Sequence, residues 1–166
     1  MDASDLVPPA LPRGLSVVIP CYHSEGSIRL LVEALAPVLA AHAPAHEIIL
    51  VDDASKDGTA RVIAALARER AEVSAVTLTR NFGQHAAILC GIRVARYDVI
   101  VTMDDDLQHP PSELPRLLAA LTDDLDVVYG SPEAEPHGVL RGVASRVTKW
   151  VLQGAMGAAT AGKASA

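Results

Sequence analysis

An α/β fold, built on a mostly parallel sheet with helices on both faces, is what this sequence predicts, and three observations carry the prediction. Near-continuous apolar runs at residues 15–20, 46–51, 73–79 and 97–103 alternate with segments of helical apolar spacing. Strands buried on both faces read as such runs, whereas a sheet wet on one side alternates apolar with polar residues. Unusual polar clusters follow the runs on their carboxyl side, where open parallel sheets gather their ligands. Finally, 166 residues that are 50% hydrophobic suffice for one domain with a real core and argue against disorder.

Each element has its own signal. Leu15-Ser16-Val17-Val18-Ile19-Pro20 is a β-branched run ended by proline. Ile28, Leu31, Val32, Leu35, Val38 and Leu39 recur at helical spacing, and Pro37 is expected to kink or end that helix. Residues 46–51 form a second strand that stops at Asp52-Asp53, and the turn over 54–59 opens a helix carrying Val62, Ile63 and Leu66. A third strand, 73–79, leads into Arg80-Asn81-Phe82-Gly83-Gln84-His85 and a helix over 86–94. Strand four covers 97–103, and Ser112 is expected to cap a helix through Leu121. Residues 126–129 read as a short fifth strand and 139–151 as a last amphipathic helix.

Residues 1–14 read as a flexible leader, 15–153 as the folded domain and 154–166 as an Ala/Gly-rich tail. The leader's acids and prolines leave no apolar centre for a signal peptide. The longest uncharged run, 150–162, is too short and too rich in Gly and Ala to span a bilayer. A net charge of −6 without any basic tract argues against a nucleic-acid partner. Cys21 and Cys90 form no C-x-x-C pattern, so neither zinc nor a disulfide framework is indicated, and a reduced, intracellular setting is the default.

The acids Asp104-Asp105-Asp106 at the end of strand four carry the chemistry. Three consecutive carboxylates repel one another unless a cation or water shares them, and hard oxygen ligands suit Mg²⁺ or Mn²⁺. From an extended strand Asp104 and Asp106 leave on the same side, so that pair is placed to hold one ion while Asp105 points elsewhere. The plain alternative is a solvated acidic turn. A dinucleotide oxidoreductase would need G-x-G-x-x-G where this chain has P-C-Y-H-S-E, and a P-loop is also absent. A phospho-acceptor receiver domain would place an aspartate after strand three, where Thr79-Arg80 stand.

Four segments taken together carry a resemblance: Ile19-Pro20-Cys21-Tyr22 with Glu25; Val51-Asp52-Asp53-Ala54-Ser55-Lys56-Asp57-Gly58-Thr59; Arg80-Asn81-Phe82-Gly83; and Asp104-Asp105-Asp106-Leu107-Gln108-His109-Pro110-Pro111. In this order and spacing they resemble the family-2 inverting glycosyltransferases, in particular the dolichol- or polyprenyl-phosphate sugar transferases, over roughly residues 15–129. The resemblance implies a GT-A fold, a UDP- or GDP-sugar donor, a lipid-phosphate acceptor, and Mg²⁺ or Mn²⁺. It implies that Pro20 and Tyr22 line the nucleotide pocket and that Asp53, with Asp52, contacts the base or ribose. Asn81 and Asp105 join the donor contacts. Asp104 and Asp106 become the D-x-D pair that sets the ion against the diphosphate, and Gln108 completes the metal shell. Each has a plainer reading, with Tyr22 as packing, Asp53 as a helix cap and Gln108 as a turn residue. Asp57-Gly58-Thr59 reads as a helix-opening turn rather than a contact.

The chain departs from the family where the first loop usually reads P-x-Y-N-E, because His23 and Ser24 replace the Asn-Glu pair. Either Glu25 substitutes, or that nucleotide contact is lost. On the last helix Arg141, Ser145 and Lys149 share a face, which meets donor phosphate, an anionic membrane surface or plain solvent, with Arg141 the phosphate candidate. Family members usually continue beyond this length, so the sequence resembles a donor-binding half. Two functions follow from the resemblance. One is inverting, metal-assisted sugar transfer to a polyprenyl phosphate on the cytoplasmic side of a membrane, for cell-envelope glycan synthesis. The other is a catalytically incomplete nucleotide-sugar-binding module.

Overall fold

The computed structural model describes residues 14–122 and 124–130, and up to Val127 these belong to one compact unit. Residues 1–13 of the expected leader, the expected helix over 139–151 with its Arg141, and the Ala/Gly-rich tail lie outside the described residues.

The sheet has four parallel strands in the order β3-β2-β1-β4. β1 (Leu15–Cys21) lies between β2 (His46–Asp52) and β4 (Val99–Thr102), with β3 (Val73–Thr77) outside β2. Leu15, Val17, Ile19 and Cys21 alternate onto one face with Ile48 and Leu50. There α1 (Ile28–His42), α2 (Thr59–Glu69) and α4 (Leu114–Ala120) contribute Leu31, Leu35, Ile63, Leu66, Leu114 and Leu118. Val18, Ile49 and Val51 turn to the opposite face, where Ala87 of α3 (Gln84–Val94) packs on them. Both faces of β1 and β2 are thus dry, which is why those strands read as unbroken apolar runs. Each fully buried Val, Leu or Ile contributes about 1.5–3 kcal/mol.

Some expectations fail for physical reasons. α1 runs through Pro37 instead of ending there. Pro37 and Glu33 are exposed, so water can serve the carbonyl that lost its donor, while the buried stripe Leu31, Val32, Leu35 and Leu39 carries the helix on. No strand forms over 126–129: Val127 is 60% exposed, and β-branched residues without a ladder partner do not make a strand. Ser112 caps nothing; a 3₁₀ turn over Pro111–Glu113 precedes α4, whose own cap is Glu113. Proline at the start of each piece presets the turn without needing a side-chain acceptor.

Pro20 does not end β1, which continues to Cys21. It ends the pairing with β4. The Val18 carbonyl accepts the Met103 N–H at 3.1 Å, and the Cys21 carbonyl accepts the Asp53 N–H at 2.9 Å. Val18 and Pro20 therefore turn their backbone groups toward β4, and Cys21 turns toward β2. The next rung to β4 would need an N–H at residue 20, which proline lacks. β1 and β4 part at that rung, while β1 and β2 stay paired to Cys21↔Asp52. Because β2 and β3 lie on one side of β1 and β4 on the other, this seam is the topological switch point of the sheet, where open α/β sheets bind ligands.

Candidate functional site

The four loops at the carboxyl ends of the strands meet above this seam around a cleft of about 340 Å³. Of the residues singled out from the sequence, Pro20, Tyr22, Asp53, Asn81, Asp104, Asp105 and Asp106 all line it. Cys21, Gly83 and Gln84 complete the lining.

Hydrogen bonds join the loops into a closed ring. The first loop is tied to the second by His23 N–H to Ser55 Oγ (3.0 Å), Ser24 N–H to Thr59 Oγ1 (2.8 Å) and Gly58 N–H to Glu25 Oε2 (2.9 Å). The second is tied to the third by Asp53, whose two carboxylate oxygens accept the N–H groups of Phe82 and Gly83, each at 2.8 Å. The third reaches the fourth through Gln84 Nε2, which donates to Asp104 Oδ1 at 2.7 Å. The fourth returns to the first through Asp105, whose Oδ2 accepts the Ser24 hydroxyl and the Tyr22 N–H. Three residues in these loops, His23, Ala54 and Leu107, hold left-handed backbone at φ of 59°, 56° and 62°. Such conformations cost free energy and persist where the surroundings over-determine them, as the ring does here.

The alternation argument for the acids fails, although the acids do converge. β4 ends at Thr102, so residues 104–106 lie in a bending loop and not on a pleated strand. Asp105 accordingly does not point elsewhere but lines the cleft beside Asp104 and Asp106. Asp53 is not a cap of its own following helix. It is buried, and both its oxygens serve the loop that starts α3.

Several singled-out residues stand off the cleft. Glu25 accepts from Gly58 and pairs with Arg61 at 3.0 Å, a partly exposed contact at the start of α2. Asp52 is buried, and its Oδ1 accepts the Ser55 N–H at 3.1 Å, which makes the turn after β2. Gln108 is exposed, and its N–H donates to Asp106 Oδ1 at 3.0 Å. Asp57 opens α2 as expected, accepting the Thr59 N–H at 3.1 Å. The Thr59 hydroxyl and N–H hold its carboxyl below the usual range, against a smaller opposing effect of desolvation.

Sequence reasoning missed Gln84 and Ser24 as site residues. Gln84 is the first residue of a helix entered through Gly83 at φ 90°, and residues at a helix start beside a cleft are natural ligands or props. Ser24 carried a signal of its own, since it stands where the resemblance expects a larger polar residue.

The cleft is acidic. Four aspartates line it, with no lysine or arginine in its lining among the described residues. The Cys21 thiol is pushed far above its usual range by burial, with Asp105 and then Asp52 adding to the effect, so it is not a nucleophile at neutral pH. Among the described residues, no group of three or more His, Cys, Asp or Glu is gathered for a metal ion. Mg²⁺ does not require one: it keeps waters and phosphate oxygens and takes only one or two carboxylates from the protein. Asp104 and Asp106 fit that need, each with Oδ1 engaged by a neutral donor.

Residues 16–156 match the sequence profile of Glycosyl transferase family 2. An undecaprenyl-phosphate 4-deoxy-4-formamido-L-arabinose transferase from Yersinia enterocolitica is 38% identical over 146 residues, which is 87% of this chain and 45% of that protein. A protein of the same name from Pseudomonas aeruginosa is 46% identical over 122 residues, covering 73% of this chain and 36% of its own. The chain thus spans less than half the length of these curated relatives. The mannosyltransferase PcManGT from Pyrobaculum calidifontis, solved with GDP-Man and Mn²⁺, superposes with a TM-score of 0.61 at 23% identity. That superposition covers 70% of this chain and 34% of PcManGT, and it establishes a shared fold.

Proposed function

Because this chain belongs to glycosyl transferase family 2, with a GT-A fold of which it holds a part, we propose that it transfers a sugar from a nucleotide-sugar donor to a polyprenyl phosphate. The observation that carries the proposal is the ring of four loops that brings Tyr22, Asp53, Asn81, Asp104 and Asp106 to one cleft at the switch point. The acceptor class rests on the relatives, both named as undecaprenyl-phosphate transferases.

In this reading Pro20, Tyr22 and Asn81 line the nucleoside side of the cleft. Asp53 shapes that side by holding the loop that bears Asn81. Asp104 and Asp106 would hold Mg²⁺ or Mn²⁺, without the exposed Gln108, and the ion when bound offsets the negative charge growing on the departing nucleoside diphosphate. A cleft lined by four aspartates, and among the described residues by no lysine or arginine, repels a bare diphosphate, and in this reading the cation is what admits the donor. The acceptor oxygen of a phosphomonoester is already anionic at neutral pH. It attacks the anomeric carbon as the bond to the diphosphate breaks, the configuration inverts, and no general base is obligatory. Donor base and sugar identity are read by contacts spread over the loops.

A second reading is a nucleotide-sugar-binding module without turnover, since the described residues that line the cleft, Pro20 to Asp106, all lie on the side assigned to the donor. Among the described residues no helix is long and apolar enough to cross a membrane.

Calorimetry with UDP- and GDP-sugars tests the proposal. Binding is expected with Mn²⁺ and not without it, and the double variant Asp104→Ala, Asp106→Ala is expected to lose that response. Equal affinity with and without metal in the unaltered protein would count against the site. Sugar transfer to a short polyprenyl phosphate separates the enzyme from the module.

A further inference from the structure

The links of the loop ring are unequal. Several hydrogen bonds tie the first loop to the second, two tie the second to the third, and two tie the fourth to the first. Among the described residues the third loop reaches the fourth through one side-chain bond, Gln84 Nε2 to Asp104 Oδ1 at 2.7 Å. Asp104 has no ladder to lean on: β4 ends two residues earlier, and the segment beyond bends through Leu107 in the left-handed region. Its carboxylate is exposed, and an exposed carboxylate with no partner samples its rotamers freely.

Gln84, by contrast, stands on fixed ground. It is the first residue of α3, directly after the two N–H groups that the buried Asp53 carboxylate grips. A line of bonded groups therefore crosses the cleft from the end of β2, through the start of α3, to the acid after β4. The chemistry of the last link is selective. A carboxylate only accepts, so the amide must present its NH₂, and as a neutral donor it orients Asp104 without cancelling its charge. Lysine would neutralise the acid, and glutamate would repel it. A neutral amide leaves a fully charged carboxylate with Oδ1 occupied and Oδ2 for a cation.

We propose that Gln84 is a positioning residue for cation-dependent nucleotide binding: it holds Asp104 in the orientation that the ion uses and transmits to it the rigidity of the Asp53–α3 junction. This rests on the reading of Asp104 as a cation ligand. Outer partners of this kind, which fix a ligand's orientation, typically alter metal affinity by about 10–100-fold when removed.

The test is calorimetric titration of UDP and GDP at increasing Mn²⁺ on the full chain, with Gln84→Met, which keeps length and loses the donor, and Gln84→Lys, which keeps a donor and adds charge. Because Gln84 is exposed, both variants are expected to retain the thermal midpoint of the unaltered protein. Q84M is expected to need about tenfold more Mn²⁺ for half-maximal nucleotide binding. Q84K is expected to make nucleotide binding largely indifferent to Mn²⁺, because its ammonium takes the cation's place beside Asp104. A purely structural role for Gln84 would shift stability and leave the Mn²⁺ requirement alone. If the unaltered protein responds to Mn²⁺ and Q84M matches it within about twofold, or Q84K keeps the full response, the proposal is overturned and the metal site stands. If the unaltered protein binds neither nucleotide, or binds without regard to Mn²⁺, the metal site fails and Gln84's role fails with it.

Discussion

The Asp53 carboxylate accepts the Gly83 N–H at 2.8 Å across thirty residues of sequence, and its other oxygen accepts the neighbouring Phe82 N–H at the same distance. Two donors meet two acceptor oxygens, one on each. Asp53→Asn keeps the shape but turns one acceptor into an NH₂ that faces an N–H. One backbone donor then loses its partner, at a cost of about 1–3 kcal/mol. Urea unfolding is expected to show that loss, and hydrogen exchange at Phe82 and Gly83 is expected to accelerate. Unchanged exchange at both amides would mean the carboxylate is not what holds the loop.

At the opposite end of the sheet, Glu47 is buried and accepts from the Ser16 hydroxyl (2.8 Å), the Arg96 N–H (2.7 Å) and Arg96 Nε (2.8 Å). Burial acts to raise its pKa, but the Arg96 N–H, the Ser16 hydroxyl and the Arg96 guanidinium together outweigh it and hold the carboxyl below its ordinary 4.5. A carboxyl depressed in the folded state stabilises the fold above the unfolded value and ceases to do so as pH falls through the folded one. Stability is therefore expected to decline as pH drops below 4.5. Glu47→Gln is expected to be less stable at neutral pH by about 1–3 kcal/mol and to show a shallower acid slope. Parallel pH profiles for the two proteins would remove Glu47 from the acid transition.

Gly91 lets α3 lie close on the sheet. A Cβ there would overlap Val18 Cγ1 and stand 3.2 Å from Val51 Cγ2. Alanine improves helix propensity by about 1 kcal/mol, but overpacking against stiff β-branched neighbours costs about 1–3 kcal/mol. Gly91→Ala is expected to lower the denaturant midpoint; a rise would show that α3 can lift without penalty.

Ala54 sits at φ 56° between the turn-making Asp52-Asp53 pair and Ser55. Left-handed backbone costs an L-residue about 1–2 kcal/mol, whereas glycine loses about 0.4–1 kcal/mol through its freer unfolded chain. The first term is larger, so Ala54→Gly is expected to stabilise the protein by about 0.5–1 kcal/mol in thermal unfolding. Destabilisation would point to a contact of the methyl group that outweighs the backbone.

What the sequence made legible was whatever depends on burial period. β1, β2, α1 and α2 are amphipathic or doubly buried, so their residues repeat with the geometry that covers them. Of the two outcomes expected at Pro37, a kink or an end, the end does not occur, because a local rule was set against a buried stripe of leucines and valines that continues past it. Residues 126–129 misled in the opposite sense, with strand-forming residues and no ladder partner among the described residues. At the site, the acids could be named but not oriented. A pleat argument holds only as far as the pleat, and β4 stops before Asp104. The bonds that orient Asp53, Asp104 and Asp105 reach partners 20 to 83 positions away, on other loops, and no local pattern encodes them.

Pro20 gives the cleft mouth a different kind of permanence. Adjacent strands zip for as long as each finds a donor in the other, and a mouth kept open only by side-chain bulk would close whenever those side chains shrank. Here the zipper halts for want of a hydrogen atom on one ring nitrogen. The lining can thus vary freely, residue by residue, without the sheet sealing over the cleft.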